Sequence, residues 1–237
     1  LGVVIFILGW VIISALIDEN AMIFPDPVST IRETFVLLGK PYVYKCMSYS
    51  ILRTFIGFAI SFVSALVLGI IAGTLPNAKS VMAPIFSVMK SIPTASLVFL
   101  FLVVAGAKNA PIAMVALISM PIIYEAVVRG FENIDKNLIN AARIDGANIM
   151  SRIINIELPA VAPYIMVGVA SSFSLSFKIE IMAEVISGST TNGLGSAILA
   201  CQRTDPTNMT PIFAFSLVTI IIVGLISLVF IVVSINY

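Results

Sequence analysis

Bond-making chemistry needs a nucleophile with a base, or a metal, and this chain of 237 residues offers little toward either. It has no histidine, which removes the usual general base and the commonest transition-metal ligand. Cys46 and Cys201 lack metal-site spacing. A Ser-His pair cannot be built and the Gly-x-Gly-Asp pattern of membrane aspartyl proteases is absent, which argues against an intramembrane hydrolase. Gly73-Thr-Leu-Pro-Asn-Ala78-Lys79-Ser80 nearly spells a phosphate-binding loop, but Ala78 replaces its second glycine and an apolar helix, not a strand, precedes it. The remaining candidates are ionisable residues in an apolar run. Gly168, Ser172, Ser176, Glu180 and Glu184 recur every fourth residue, a small-and-polar stripe along one side of a helix. Lys178 projects about 200° away from Glu180, so the two do not pair directly. Ionised groups facing lipid at depth cost a few kcal/mol each, so they require a water-filled vestibule, a paired cluster or the headgroup zone. Ser172, Ser176, Glu180 and Glu184 are thus candidates to line a passage; anchoring of the span at the outer interface is the competing reading.

Composition names the medium that must position them. With 59% hydrophobic and 11% charged residues, the chain has too little polar material to coat a soluble globule of its size. It reads as an all-α integral membrane protein forming one domain over 1–237. Six stretches supply, or nearly supply, the roughly 20 residues that cross a bilayer: 1–17, 50–74, 83–105, 110–128, 158–186 and 211–235. Runs such as 220–235 are apolar all round and lack the alternation of a membrane β-barrel. The start without Met suggests a trimmed N-terminus. Pro93 and Pro121 are expected to kink spans three and four. In span two, Gly57, Ser61, Ala65, Gly69 and Gly73 fall at every fourth position, a pattern for close helix packing, either within the chain or against a neighbouring subunit. Loop charge does not orient the chain: Lys79, Lys90, Arg129, Lys136, Arg143 and Arg152 on one side balance Arg32, Lys40, Lys45, Arg53, Lys108 and Arg203 on the other.

Between spans four and five lies a polar segment with helix-turn-helix signals. Asn140-Ala-Ala-Arg-Ile-Asp-Gly146 gives a low-profile helix surface and a residue suited to positive φ where that helix ends, and Leu158-Pro159 restarts the chain. Ala-Ala-x3-Gly-x9-Ile-x-Leu-Pro resembles the EAA loop of the membrane subunits of binding-protein-dependent ABC importers, with Asn140, itself a competent N-cap, where that family usually has Glu. Phe24-Pro-Asp-Pro27, Ser50-Ile-Leu-Arg53, Ser91-Ile-Pro93-Thr-Ala95, Glu184 and Gly193-Leu-Gly195 occur in the family's order. The last two are similar to positions in its nitrate, sulfonate and taurine subfamily.

The resemblance implies the type I importer fold, a multi-pass protein of the bacterial cytoplasmic membrane with both termini and the motif loop in the cytoplasm. It implies an ABC ATPase dimer that holds the ATP and Mg, with no cofactor on this chain, a second permease subunit, identical or different, and an extracytoplasmic substrate-binding protein. Asn140, Ala141, Ala142, Arg143, Asp145 and Gly146 would then couple to the ATPase. The cargo would be a small anion such as a sulfonate or nitrate, or else a thiamine precursor or other heterocycle. An ion-coupled secondary transporter needs ion-coordinating groups near the midplane and often a repeated half; no internal repeat is visible. A membrane scaffold would leave the helix-turn-helix without a purpose.

Overall fold

The computed structural model describes residues 2–17, 24–188 and 192–235, without the side chains of residues 3, 143 and 230–235. Its regular elements are helices: α1 (Gly2–Leu16), α2 (Pro27–Leu38), α3 (Pro41–Thr74), α4 (Pro76–Ser91), α5 (Thr94–Glu132), α6 (Lys136–Ile144), α7 (Ile149–Arg152), α8 (Leu158–Ser187), α9 (Leu194–Thr204) and α10 (Thr210–Ile235), with a π-helical turn at Ile153–Glu157. Four helical runs are long and apolar enough to cross a membrane: Pro41–Thr74, Thr94–Glu132, Ile149–Ser187 and Thr210–Val229. The first expected span is a shorter helix of 15 residues.

Expected spans three and four differ in a way that the backbone explains. Helix α4 ends at Ser91, Ile92 and Pro93 are extended (ψ 128° and 125°), and α5 begins at Thr94. Pro93 therefore breaks the run instead of kinking it, because it disfavours helical geometry at the residue before it. Pro121, by contrast, lies buried within continuous helix. The bend in α5 is at Gly106, whose φ of 75° and ψ of 161° suit glycine. Phe101 lines one pocket with Leu117 and Met120, although 16 residues of straight helix would separate Phe101 from Leu117 by about 24 Å. The chain thus doubles back at Gly106, and α5 is two limbs.

The core is a three-helix packing of α3, the second limb of α5 and α8. Gly57, Ser61, Ala65, Gly69 and Gly73 face Val115, Ser119, Ile123, Val127 and Phe131: all are buried except the half-buried Gly73, Gly57 abuts Val115, Gly69 abuts Val127 and Gly73 abuts Phe131. The constant separation makes the two helices parallel, and the partner of the small-residue stripe belongs to the same chain. Helix α8 runs antiparallel, with Gly130 against Val161, Gly168 against Ala126, and Ser119 Oγ 2.6 Å from Ser176 Oγ. Small residues bring these backbones close where lipid gives no hydrophobic drive for association. A Cβ on Gly57 would sit 2.7 Å from the Ile112 carbonyl oxygen and 2.8 Å from Val115 Cβ. Gly57→Leu should therefore destabilise the bundle by about 1–3 kcal/mol, read as a lower melting temperature in detergent; Gly9→Leu on α1, where nothing lies within 4 Å, should leave it unchanged.

Helix α2 begins where Asp26 accepts from the Val28 and Ser29 amides, and it packs on α10. Val28, Ile31 and Phe35 stay exposed, as suits an amphipathic helix lying in an interface. Helix α4 folds back along α5 through ion pairs of Lys79 with Glu132 and Lys90 with Glu125 and a Phe86–Tyr124 stack. Lys79, the lysine of the near phosphate-loop, is committed to that pairing.

Candidate functional site

Two places gather the residues singled out by sequence, at opposite ends of α8. The first is the elbow between α5 and α8. Helix α6 starts at Asp135, whose carboxylate accepts from the Asn137 amide at 2.8 Å while its carbonyl accepts from the Leu138 amide. Asn140 is exposed and sits mid-helix, so the capping expected of it falls to Asp135. The helix closes through Asp145 N donating to Ala141 O, Ala147 N donating to Ala142 O and Gly146 at φ 79°, a left-handed C-terminal stop. Ala142 is buried, while Ala141, Asp145 and Gly146 are exposed; the Arg143 side chain lies outside the described set.

The second half of the expected helix-turn-helix begins earlier than Leu158. Asn148 caps α7 by accepting from the Ser151 amide at 2.7 Å, and helical structure then continues unbroken through the π turn into α8. Pro159 cannot donate to a residue one α-turn before it, and widening the preceding turn, with Leu158 N donating to Ile153 O, accommodates it without a restart. Arg152 Nε donates to the buried Glu157 carboxylate at 2.5 Å and ties this turn together. Outside, the elbow leaves Leu138, Ile144, Ile149 and Met150 uncovered, with Ile144 at 85% exposure. Apolar side chains bunched on a polar loop mark a surface made to be covered.

The second place is a buried polar cluster at the other end of α8. Arg53 pairs with Glu184, whose second oxygen accepts from Ser50 Oγ at 3.0 Å and from the Gly195 amide at 2.8 Å; Ser50 Oγ in turn accepts from the Leu194 amide. Three segments, Ser50-Ile-Leu-Arg53, which is distant in sequence, and the nearer pair Glu184 and Gly193-Leu-Gly195, thus close on one carboxylate, and α9 is fastened to α3 and α8. Gly193 and Gly195 pass so near Glu184 that a Cβ on either would collide with it. Glu180 and Glu184 are both fully buried. The paired cluster is found for Glu184; both carboxylate oxygens of the buried Glu180 lack a hydrogen-bond partner among the described residues.

Ser172, Ser176, Glu180 and Glu184 are each 0% exposed. Ser176 packs against Ser119 of α5, and none of the four reaches an open surface in this conformation. Lys178 lies across the helix from Glu180 and is exposed, as its angular offset required. Sequence reading gave Ser50 and Arg53 no role. The available signal was electrostatic: an arginine inside an apolar span needs an acid, and few acids lie in the spans.

Comparison with known proteins places this geometry. The family model described as binding-protein-dependent transport system inner membrane component matches residues 65–236. A probable ABC transporter permease protein of Brucella melitensis, BMEII0107, is 28% identical over 218 residues, 92% of this chain and 85% of the relative. The putative aliphatic sulfonates transport permease protein SsuC of Bacillus subtilis is 24% identical over 200 residues, covering 84% and 72%. More distant relatives are named for nitrate import and for glycine betaine and proline betaine transport. Among solved structures, an inward-facing MetNI methionine ABC transporter shares the fold, with a TM-score of 0.72 at 19% identity over 82% of this chain and 95% of that one.

Proposed function

This chain belongs to the family of binding-protein-dependent transport system inner membrane components, and from that membership we infer that it is the permease subunit of an ABC importer for a small anion such as a sulfonate or nitrate. It works beside a second permease subunit, receives its solute from an extracytoplasmic binding protein, and is driven by a separate ATPase that binds ATP and Mg. The observation that carries the ATPase partnership is the uncovered elbow: Leu138, Ile144, Ile149 and Met150 have no use on a solvent-facing loop but fit a groove on another protein. Asn140, Ala141, Ala142, Arg143, Asp145 and Gly146 are the docking residues in this reading. Closure of the ATPase on nucleotide moves α6, and α8, continuous with the elbow, moves with it. The anionic cargo rests on subfamily likeness and on the sulfonate relative.

The test is co-expression of this chain with a candidate ABC ATPase and a candidate binding protein from the same genome, followed by uptake of radiolabelled nitrate and of an alkanesulfonate into proteoliposomes. ATP-dependent uptake of either supports the reading. Uptake of a heterocycle such as a thiamine precursor instead would replace the cargo and keep the architecture. Ion-gradient-driven uptake with no ATPase present would overturn the function.

A further inference from the structure

With its small-and-polar stripe turned inward, α8 presents a different line to the outside: Val167, Ser171, Leu175 and Lys178 are exposed at spacings of four, four and three. This face is not built for lipid along its whole length. At one end it adjoins a cleft of about 250 Å³ against α5, edged by Glu125, Arg129, Tyr164 and Ser171. There Glu125 pairs with Lys90 and lies 4.0 Å from Arg129. At the other end, Lys178 opens onto a groove of about 470 Å³ lined mainly by Ile181, Ile198, Ile220 and Val223, with Ser216, Thr219 and Gly224 of α10 at its border. Nine residues of helix put Lys178 about 14 Å below the end of α8 at Ser187. Among the described residues, no carboxylate lies within ion-pairing distance of it. The lipid-type faces of the same molecule look different: Phe55, Val63 and Val67 on α3 are exposed aliphatic and aromatic surface.

An uncompensated ammonium facing hydrocarbon costs a few kcal/mol, so where Lys178 lies within the membrane its surroundings are aqueous or supply an anion. Of the charged residues lining the two clefts, Arg129 and Lys178 are cations and Glu125 is the single acid, itself paired with Lys90 of α4. A passage lined in this way concentrates anions and repels cations.

We propose that the exposed stripe Val167–Ser171–Leu175–Lys178, and not the buried one, faces the solute path, and that Lys178 is the counter-charge that receives an oxyanion group there. The proposal rests on the importer reading and gives its cargo class a residue. Arg129, about 21 Å further along by the rise from Tyr164 to Lys178, offers a second positive station toward the elbow.

The test does not need the natural solute. In the assembled transporter in proteoliposomes, with Cys46→Ala and Cys201→Ala as background, single Ser171→Cys, Leu175→Cys, Ser172→Cys and Ser176→Cys variants are reacted with two water-soluble methanethiosulfonates, one bearing a sulfonate and one a trimethylammonium. The thiols at 171 and 175 should be modified at least about tenfold faster than those at 172 and 176, a difference of about 1.4 kcal/mol in access. The sulfonate reagent should be favoured at 171, and that preference should fall about tenfold with Lys178→Gln and return with Lys178→Arg. Thiols at 171 and 175 that react only with a membrane-permeant maleimide would put this face in lipid and overturn the proposal. Reactive thiols with a charge preference indifferent to Lys178→Gln would overturn the role of Lys178. Binding-protein-stimulated ATP hydrolysis, measured on the same samples, reports separately on the importer reading.

Discussion

Arg53→Met should lower the stability of the folded chain by about 3–5 kcal/mol, the largest loss expected of any single substitution considered for this molecule. Glu184 is fully buried and Arg53 is 7% exposed. Removing the guanidinium leaves a carboxylate enclosed in low-dielectric surroundings with only the hydroxyl and amide donors of Ser50 and Gly195. The penalty comes chiefly from that orphaned charge, so it should shrink when the acid is neutralised as well: Arg53→Met with Glu184→Gln should recover a large part of the loss. Thermal unfolding in detergent of the two single variants and the double variant gives the coupling directly. Lys79→Met, which removes a cation from a half-exposed pair with Glu132, should cost about 1 kcal/mol or less. If Arg53→Met shifts the melting temperature no more than Lys79→Met does, the cluster is solvated and the assignment fails. Loss of the cluster should also free α9, which is measurable as faster amide exchange over 194–204.

Gly146→Val should separate transport from ATP hydrolysis while sparing assembly. At φ 79° a β-branched residue is strained by about 1–2 kcal/mol, and because nothing lies within 4 Å of the position a Cβ would take, the backbone carries the whole effect. The stop of α6 then has to re-form elsewhere, and the uncovered Leu138 and Ile144 shift relative to one another. Solute moved per ATP in proteoliposomes should fall by about tenfold, as a misdocking cost of 1.4 kcal/mol implies. The melting temperature of the α3–α5–α8 bundle should stay near wild type. Gly146→Asn, which tolerates the left-handed region, should retain most coupling. Unchanged transport per ATP in the valine variant would remove α6 from the coupling path.

The sequence made the helical, membrane-embedded class and the elbow readable because both are local: apolar run length, and Ala-Ala followed by a glycine that must take positive φ. Boundaries were harder where two signals competed. Pro93 and Gly106 both punctuate a long apolar run, and nothing local states that the first breaks it and the second reverses it. Asp135, not Asn140, caps α6, since both residue types qualify and helix length decided between them. Pro159 looked like a start because proline favours first turns, but a π turn absorbed it. The most instructive case is the stripe on α8. In a soluble helix, polar residues point outward; in a membrane, small and polar side chains are also what lets helices touch. Ser172 and Ser176 therefore carried no sign to tell lining from packing; in this conformation both are buried, Ser176 against Ser119 of α5. The meeting of Ser50, Arg53, Glu184 and Gly195 is tertiary and has no periodicity to betray it.

The helical run from Ile149 to Ser187 is 39 residues, or about 58 Å, and its two ends carry the uncovered elbow and the carboxylate that fastens α9. A rod of that length is a seesaw: rocking it by about 10° about its middle swings each tip by about 5 Å, as far as one helical turn rises. The widened turn at Ile153–Glu157 is where such a beam yields most easily. A push at the elbow end is thus felt at the far end as a tug on Glu184, with the stiffness of that single turn setting how much of the stroke arrives.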